Sequence, residues 1–231
     1  MRKIILYLWI IAFFIVFLYG KHIKSTFTYK ILNTNEEKFN TVQNSYYKEN
    51  EYIPKNEIKT STEEIFNSSS LISKVRYIGK SDYANNEVIF HCEVCEVYKG
   101  DNTIIGTQIQ YVVDPMALDL NFGFAWGSYV NYMKQDEEYL IFANKVNTEM
   151  KSLPDNIYCS SGLRYAQYFS FREHNDIIIK LEPLKTKGYE EYYGFYARDY
   201  SENEFFASTY NALENFKMIK EAIFTKIQEY K

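Results

Sequence analysis

Glycine, proline and cysteine are all scarce in this sequence, at 9, 4 and 3 of 231 residues. The first two shortages exclude collagen-like repeats and Pro-rich tracts, and three cysteines cannot staple a chain of this length into a disulfide framework. A surplus of positive charge is also missing. Lys and Arg number 26 against 30 Asp and Glu, a formal charge of −4, and setting aside Arg2 and Lys3 leaves 24 against 30, or −6. An acidic body of this kind disfavours nonspecific binding to nucleic acid or to anionic lipid. Catalytic signatures are equally thin. There is no Gly-x-Ser-x-Gly elbow, no His-Glu-x-x-His helix and no Gly-rich phosphate loop, and the only histidines are His22, His91 and His174. The sequence predicts no catalytic residue, no cofactor and no metal ion, and hence a protein that is not an enzyme.

What is abundant is aromatic. Tyr 23, Phe 17 and Trp 2 make up 18% of the chain, and aromatic side chains favour pleated, half-buried strand surfaces. With 46% hydrophobic residues there is ample material for a core.

One long apolar run exists, Ile4 to Tyr19, preceded by Arg2 and Lys3 and followed by Gly20, Lys21, His22 and Lys24. It is either a signal peptide or a membrane anchor. Its end offers Leu18, Tyr19 and Gly20 where a cleavage site wants small residues, and no cysteine precedes Cys92, which excludes a lipobox. Sixteen residues at about 1.5 Å per residue span roughly 24 Å, and Lys21 and Lys24 can snorkel to cover the remainder of a hydrocarbon core of about 30 Å. The expectation is an uncleaved anchor over residues 1–24, buried in the bilayer through residues 4–19, with a cytoplasmic N-terminus and the bulk of the chain outside. Residues 25–59 are polar, show no sustained period and read as a spacer.

The remainder, residues 60–231, is patterned. Thr60 with Glu63 and Ser61 with Glu64 satisfy capping-box spacing and predict a helix through about Asn67. Period-2 alternation then predicts strands over Leu71 to Gly79, Glu87 to Tyr98, Thr107 to Val113, Asp136 to Asn144 and Asp176 to Glu182, with a weaker one over Tyr165 to Phe171. In the second of these, Val88, Phe90, Cys92 and Val94 face one way and His91, Glu93 and Cys95 the other. Ser201 with Glu204 predicts the start of a final amphipathic helix of about 28 residues, carrying Phe206, Tyr210, Leu213, Phe216, Ile219, Ile223, Ile227 and Tyr230 on one stripe. Short strands with turn punctuation and one closing helix argue for a mainly β fold, a small barrel with a C-terminal amphipathic helix.

Three phrases carry a family resemblance: Tyr77-Ile78-Gly79-Lys80, then Cys95-Glu96-Val97-Tyr98-Lys99-Gly100-Asp101, and later Glu137-Glu138-Tyr139-Leu140-Ile141-Phe142-Ala143. Residues 70–146 thus resemble bacterial netrin-like domains, relatives of the OB-type barrel of tissue inhibitors of metalloproteinases. The resemblance implies an OB-like barrel. It does not carry inhibitory chemistry, because those inhibitors chelate the protease metal through an N-terminal cysteine and this chain has none before Cys92.

His91-Cys92-Glu93-Val94-Cys95 is the one segment with ligand-type residues close together. On a strand Cys92 and Cys95 point to opposite faces about 10 Å apart, beyond the roughly 7 Å that a disulfide bridges. Cys159 is a candidate to bridge to one of the pair, taken as Cys95, with the third thiol left free. A thiol- or metal-dependent site around His91, Cys95 and Cys159 is the enzyme-class alternative, and convergence of those side chains is what it requires. Two aromatic clusters are candidate binding surfaces instead: Phe122, Phe124 and Trp126 in a glycine-hinged loop, and Tyr192, Tyr193 and Tyr196 in a tyrosine-rich stretch. Such side chains make efficient contact area for a protein or glycan. The reading is a membrane-anchored, extracytoplasmic, noncatalytic interaction module of the cell envelope.

Overall fold

A computed structural model describes residues 32–34, 43–45, 55–84, 87–113, 118–120, 123–125, 129–146, 156–162, 166–183 and 193–230. The anchor expected over residues 1–24, and most of the spacer over 25–59, lie outside the described residues. Among those described, no helix is long and apolar enough to cross a membrane. The chain divides into two compact units, Met1–Leu32 and Asn33–Lys231, and the patterned β region lies wholly within the second.

In chain order the elements are β1 (Leu32–Thr34), β2 (Gln43–Ser45), α1 (Lys55–Ser68), β3 (Leu71–Ala84), β4 (Glu87–Lys99), β5 (Gln108–Val113), β6 (Leu118–Leu120), β7 (Gly123–Ala125), β8 (Glu138–Lys145), β9 (Ile157–Ser160), β10 (Tyr168–Ser170), β11 (Glu182–Pro183), β12 (Tyr193–Tyr196) and α2 (Tyr210–Ile227). Strand β3 pairs antiparallel with β4, β4 antiparallel with β5, β5 parallel with β9, β9 antiparallel with β8, and β8 antiparallel with β3. The ring closes with five strands in an OB-like order, and β10 continues the β9 side of β8 (Tyr168↔Ile141, Ser170↔Tyr139).

The alternation legible in β4 decides which face becomes the interior. Val88, Phe90, Cys92 and Val94 are fully buried, and Glu93 and Cys95 are half-buried on the outer side. Inside, Tyr77, Phe90, Tyr111, Tyr168 and Phe142 are all at most 1% exposed. Their rings meet edge to face, with Phe90 5.4 Å from Tyr77 and 5.7 Å from Tyr168, the arrangement that ring quadrupoles favour. Buried hydroxyls find acceptors: Tyr111 donates to the Gln167 carbonyl (2.5 Å) and Tyr168 to that of Asn131 (2.7 Å). An interior built from phenols is fixed by hydrogen bonds as well as by packing.

Two backbone devices shape the barrel. At Tyr77/Lys80 the β3–β4 register shifts, Gly79 takes φ 76°, and the turn before β8 is tied to the bulge by Asp136 N–H to Tyr77 O (2.9 Å). At the predicted Lys99–Asn102 turn Gly100 takes φ 119°, and an added Cβ would stand 2.9 Å from the Ser70 carbonyl. Gly100→Ala is therefore expected to cost about 1–3 kcal/mol, measured as a lower denaturant midpoint; an unchanged midpoint would show that the turn relaxes freely.

Three sequence expectations need correction. Helix α1 begins at Lys55 and not at Thr60, so the capping-box residues lie inside it; Pro54 stands directly before its first residue, where proline suits a helix start. Asp176 to Glu182 is not a strand. Only Glu182 joins a short one, because side chains take the backbone groups that a ladder would use: Asn203 accepts from Ile177 N–H and donates to Ile177 O (2.6 Å). The final helix starts at Tyr210 with Thr209 as its cap, whose hydroxyl accepts from Ala212 N–H (3.2 Å). It is 18 residues long, and Ser201 and Glu204 lie before it. Leu213, Phe216, Ile219, Ile223 and Ile227 form its buried stripe, whereas Tyr210 and Tyr230 are exposed. Phe216 stacks on Phe205 at 5.5 Å, Phe224 meets Phe171 of the barrel side at 4.9 Å, and Tyr230, just past the helix, contacts Phe66 of α1 at 5.4 Å.

Candidate functional site

The outer face of β3, β4 and β8 carries alternating opposite charges. Arg76 stands in register with Glu93 on one side and Glu138 on the other, and its guanidinium donates to Glu93 (2.7 Å). Lys74 reaches Glu138 at 2.7 Å. His91, also expected to face outward, is buried to 8% exposure and meets the Asp82 carboxylate at 2.6 Å through Nε2. Cross-strand pairs of this kind stabilise a sheet by roughly 0.2–1 kcal/mol each. The ligand-type residues of β4 are thus engaged by their neighbours, and among the described residues no group of three or more His, Cys, Asp or Glu side chains is placed to hold a metal ion.

All three thiols are free. Cys92 faces the core, where burial pushes its thiol well above the ordinary range, and Cys95 is half-buried on the outside, its thiol raised by partial burial. The Cys95–Cys159 disulfide is not formed, and the register says why. Cys159 pairs with Val112, and Val112 with Ile89. Cys95 is six positions further along β4, about 20 Å at roughly 3.3 Å per residue and two strands away. His91, Cys95 and Cys159 therefore do not converge.

The aromatic clusters meet a different fate. A second, five-stranded sheet runs β11-β12-β2-β7-β6. It brings the strand carrying Phe124 and the strand carrying Tyr193 and Tyr196 to either side of β2, a segment from the expected spacer. Phe122, Trp126 and Tyr192 lie outside the described residues, as do the side chains of Phe124 and Tyr193; Tyr196 is half-buried.

Sequence reasoning missed the polar hub between β10 and α2. Glu204, 4% exposed, accepts the Ser170 N–H (2.7 Å) and the Lys220 ammonium (2.5 Å), while its own N–H donates to Asp176 (2.5 Å) and its carbonyl accepts from Asn131 N–H (2.7 Å). Burial pushes its carboxyl up to about 7, against the pull of Lys220 and Ser170 N–H. Nearby, Arg172 bridges Glu137 (2.6 Å) and Glu202 (3.2 Å), and Lys134 also holds Glu202 (3.0 Å). His174 directs Nδ1 at the Glu202 carbonyl (3.1 Å), its Nε2 is buried without a partner among the described residues, and burial lowers its pKa, all consistent with a neutral ring. The capping-box spacing of Ser201 and Glu204 concealed this carboxylate, since the pattern specifies a neighbour three residues away and is silent about a lysine sixteen away. A Glu directly before Phe205 and Phe206 was the signal available. The hub joins a helix to a barrel edge and covers the outward N–H of β10, which would otherwise be an open edge; it is structural chemistry.

No family model matches the chain, and no curated protein matches it.

Proposed function

We propose that this chain is a noncatalytic binding module, held in a membrane by its N-terminal apolar segment, that displays its OB-like barrel on the extracytoplasmic side and engages a protein or glycan partner. The observation that carries the reading is the distribution of chemistry in the fold. His91 and Glu93 are committed to Asp82 and Arg76, the three thiols are unbridged with Cys159 two strands from Cys95, and the barrel interior is filled with hydrogen-bonded phenols. Phe124, Tyr193 and Tyr196, by contrast, stand on strands of a sheet outside the barrel ring. The netrin-like likeness belongs to the same proposal. It is supported by Val97-Tyr98-Lys99-Gly100 closing β4, by Glu138 to Phe142 falling in β8, and by a helix leading into the first barrel strand.

Thiol accessibility tests the topology. Cys159 is exposed and Cys92 fully buried, so an impermeant maleimide applied to intact cells expressing the full chain should modify Cys159 first, Cys95 more slowly, and Cys92 only after denaturation. Modification of Cys159 only after lysis would place the domain inside, and a mature N-terminus near Lys21 would show that the apolar segment is removed. For the binding surface, formaldehyde cross-linking in cells should yield an adduct that a Phe124→Ala, Trp126→Ala, Tyr193→Ala variant loses while keeping its thermal midpoint. An undiminished adduct would rule that surface out.

A further inference from the structure

We draw no further inference here: the strongest candidate, the exposed apolar tip of the β4–β5 hairpin, where Ile105 stands beside Gly106 in an uncharged run from Asn102 to Gln108, carries nothing because nothing in the structure shows what covers it.

Discussion

Removing the chain beyond Tyr200 is expected to abolish cooperative folding of the barrel. The deleted part contains α2, whose Leu213, Phe216, Ile219, Ile223 and Ile227 are all at most 4% exposed. Burying five such side chains contributes roughly 8–15 kcal/mol before ordering costs, against a net stability of about 5–15 kcal/mol for a whole domain. It also contains Phe205 and Phe206, each 1% exposed, and Glu204, which covers the outward N–H of Ser170 on β10. Truncation would strip both the apolar cover and the polar cap from one side of the barrel. A milder version isolates the packing. Phe216 stacks on Phe205 at an interplanar angle of 13° and meets Tyr129 at 5.4 Å, so Phe216→Ala should cost about 3–5 kcal/mol, as large-to-small changes in a close-packed core do. Tyr210→Ala, at the exposed start of the same helix, should cost less than about 0.5 kcal/mol. Denaturant midpoints of the two variants decide the matter. Equal losses, or a soluble, cooperatively melting truncation, would mean that α2 is an accessory element free to engage something else.

How much of the fold was legible in the sequence varies with the range of the interaction. The β4 alternation identified the core face because burial imposes a period of two on every residue of a half-buried strand. Cys92 inside and Cys95 outside follow from it directly. His91 broke the pattern because its burial comes from Asp82, nine residues away across the β3–β4 hairpin, and no local period encodes a cross-strand ion pair. The strand predicted at Asp176 has a strongly apolar stretch, Ile177-Ile178-Ile179, which fits a strand and an irregular segment equally well, and of the three only Ile179 is buried. Asn203 settled it by taking both polar groups of Ile177. Helix starts failed for a related reason. Thr60, Ser61 and Ser201 each offer a legitimate capping pattern, but a cap has effect only where a helix begins, and the first helix already runs from Lys55 while the last begins after Thr209. Cys159 lay beyond sequence reasoning because its distance from Cys95 depends on β5 standing between β4 and β9 and on a parallel register that no motif specifies.

The stability of the domain should fall as pH rises through the neutral range, and Glu204 should be the cause. Its ordinary value is 4.5, and in the fold burial lifts it to about 7 while Lys220 and the Ser170 N–H resist. Between those values the folded state keeps a proton that the unfolded chain has released. A group whose folded pKa is raised contributes stability that is complete below about 4.5 and gone above about 7, a change on the order of 3 kcal/mol at about 1.4 kcal/mol per unit. Other titratable groups face the same carboxylate: Lys220 on α2, Asp176, which accepts the Glu204 N–H, and the Tyr139 phenol on β8, which burial keeps neutral. His174 works in the opposite sense, since its lowered pKa makes the fold lose stability as pH falls through the range below 6.5. Comparing wild type with Glu204→Gln cancels that contribution, because His174 is present in both. Glu204→Gln keeps an acceptor for the Ser170 N–H but cannot ionise. Its stability relative to wild type should therefore improve by about 3 kcal/mol between pH 4.5 and pH 8, read from denaturant midpoints at each pH. Lys220→Met removes the cation that restrains the shift, so its own stability loss should extend to higher pH, reaching about 3–5 kcal/mol where the carboxylate is forced to stay charged. Parallel pH curves for wild type and Glu204→Gln would mean that the pair with Lys220 keeps Glu204 ionised throughout. The seam between β10 and α2 would then be held by a permanent ion pair and not by a group that exchanges its proton near neutrality.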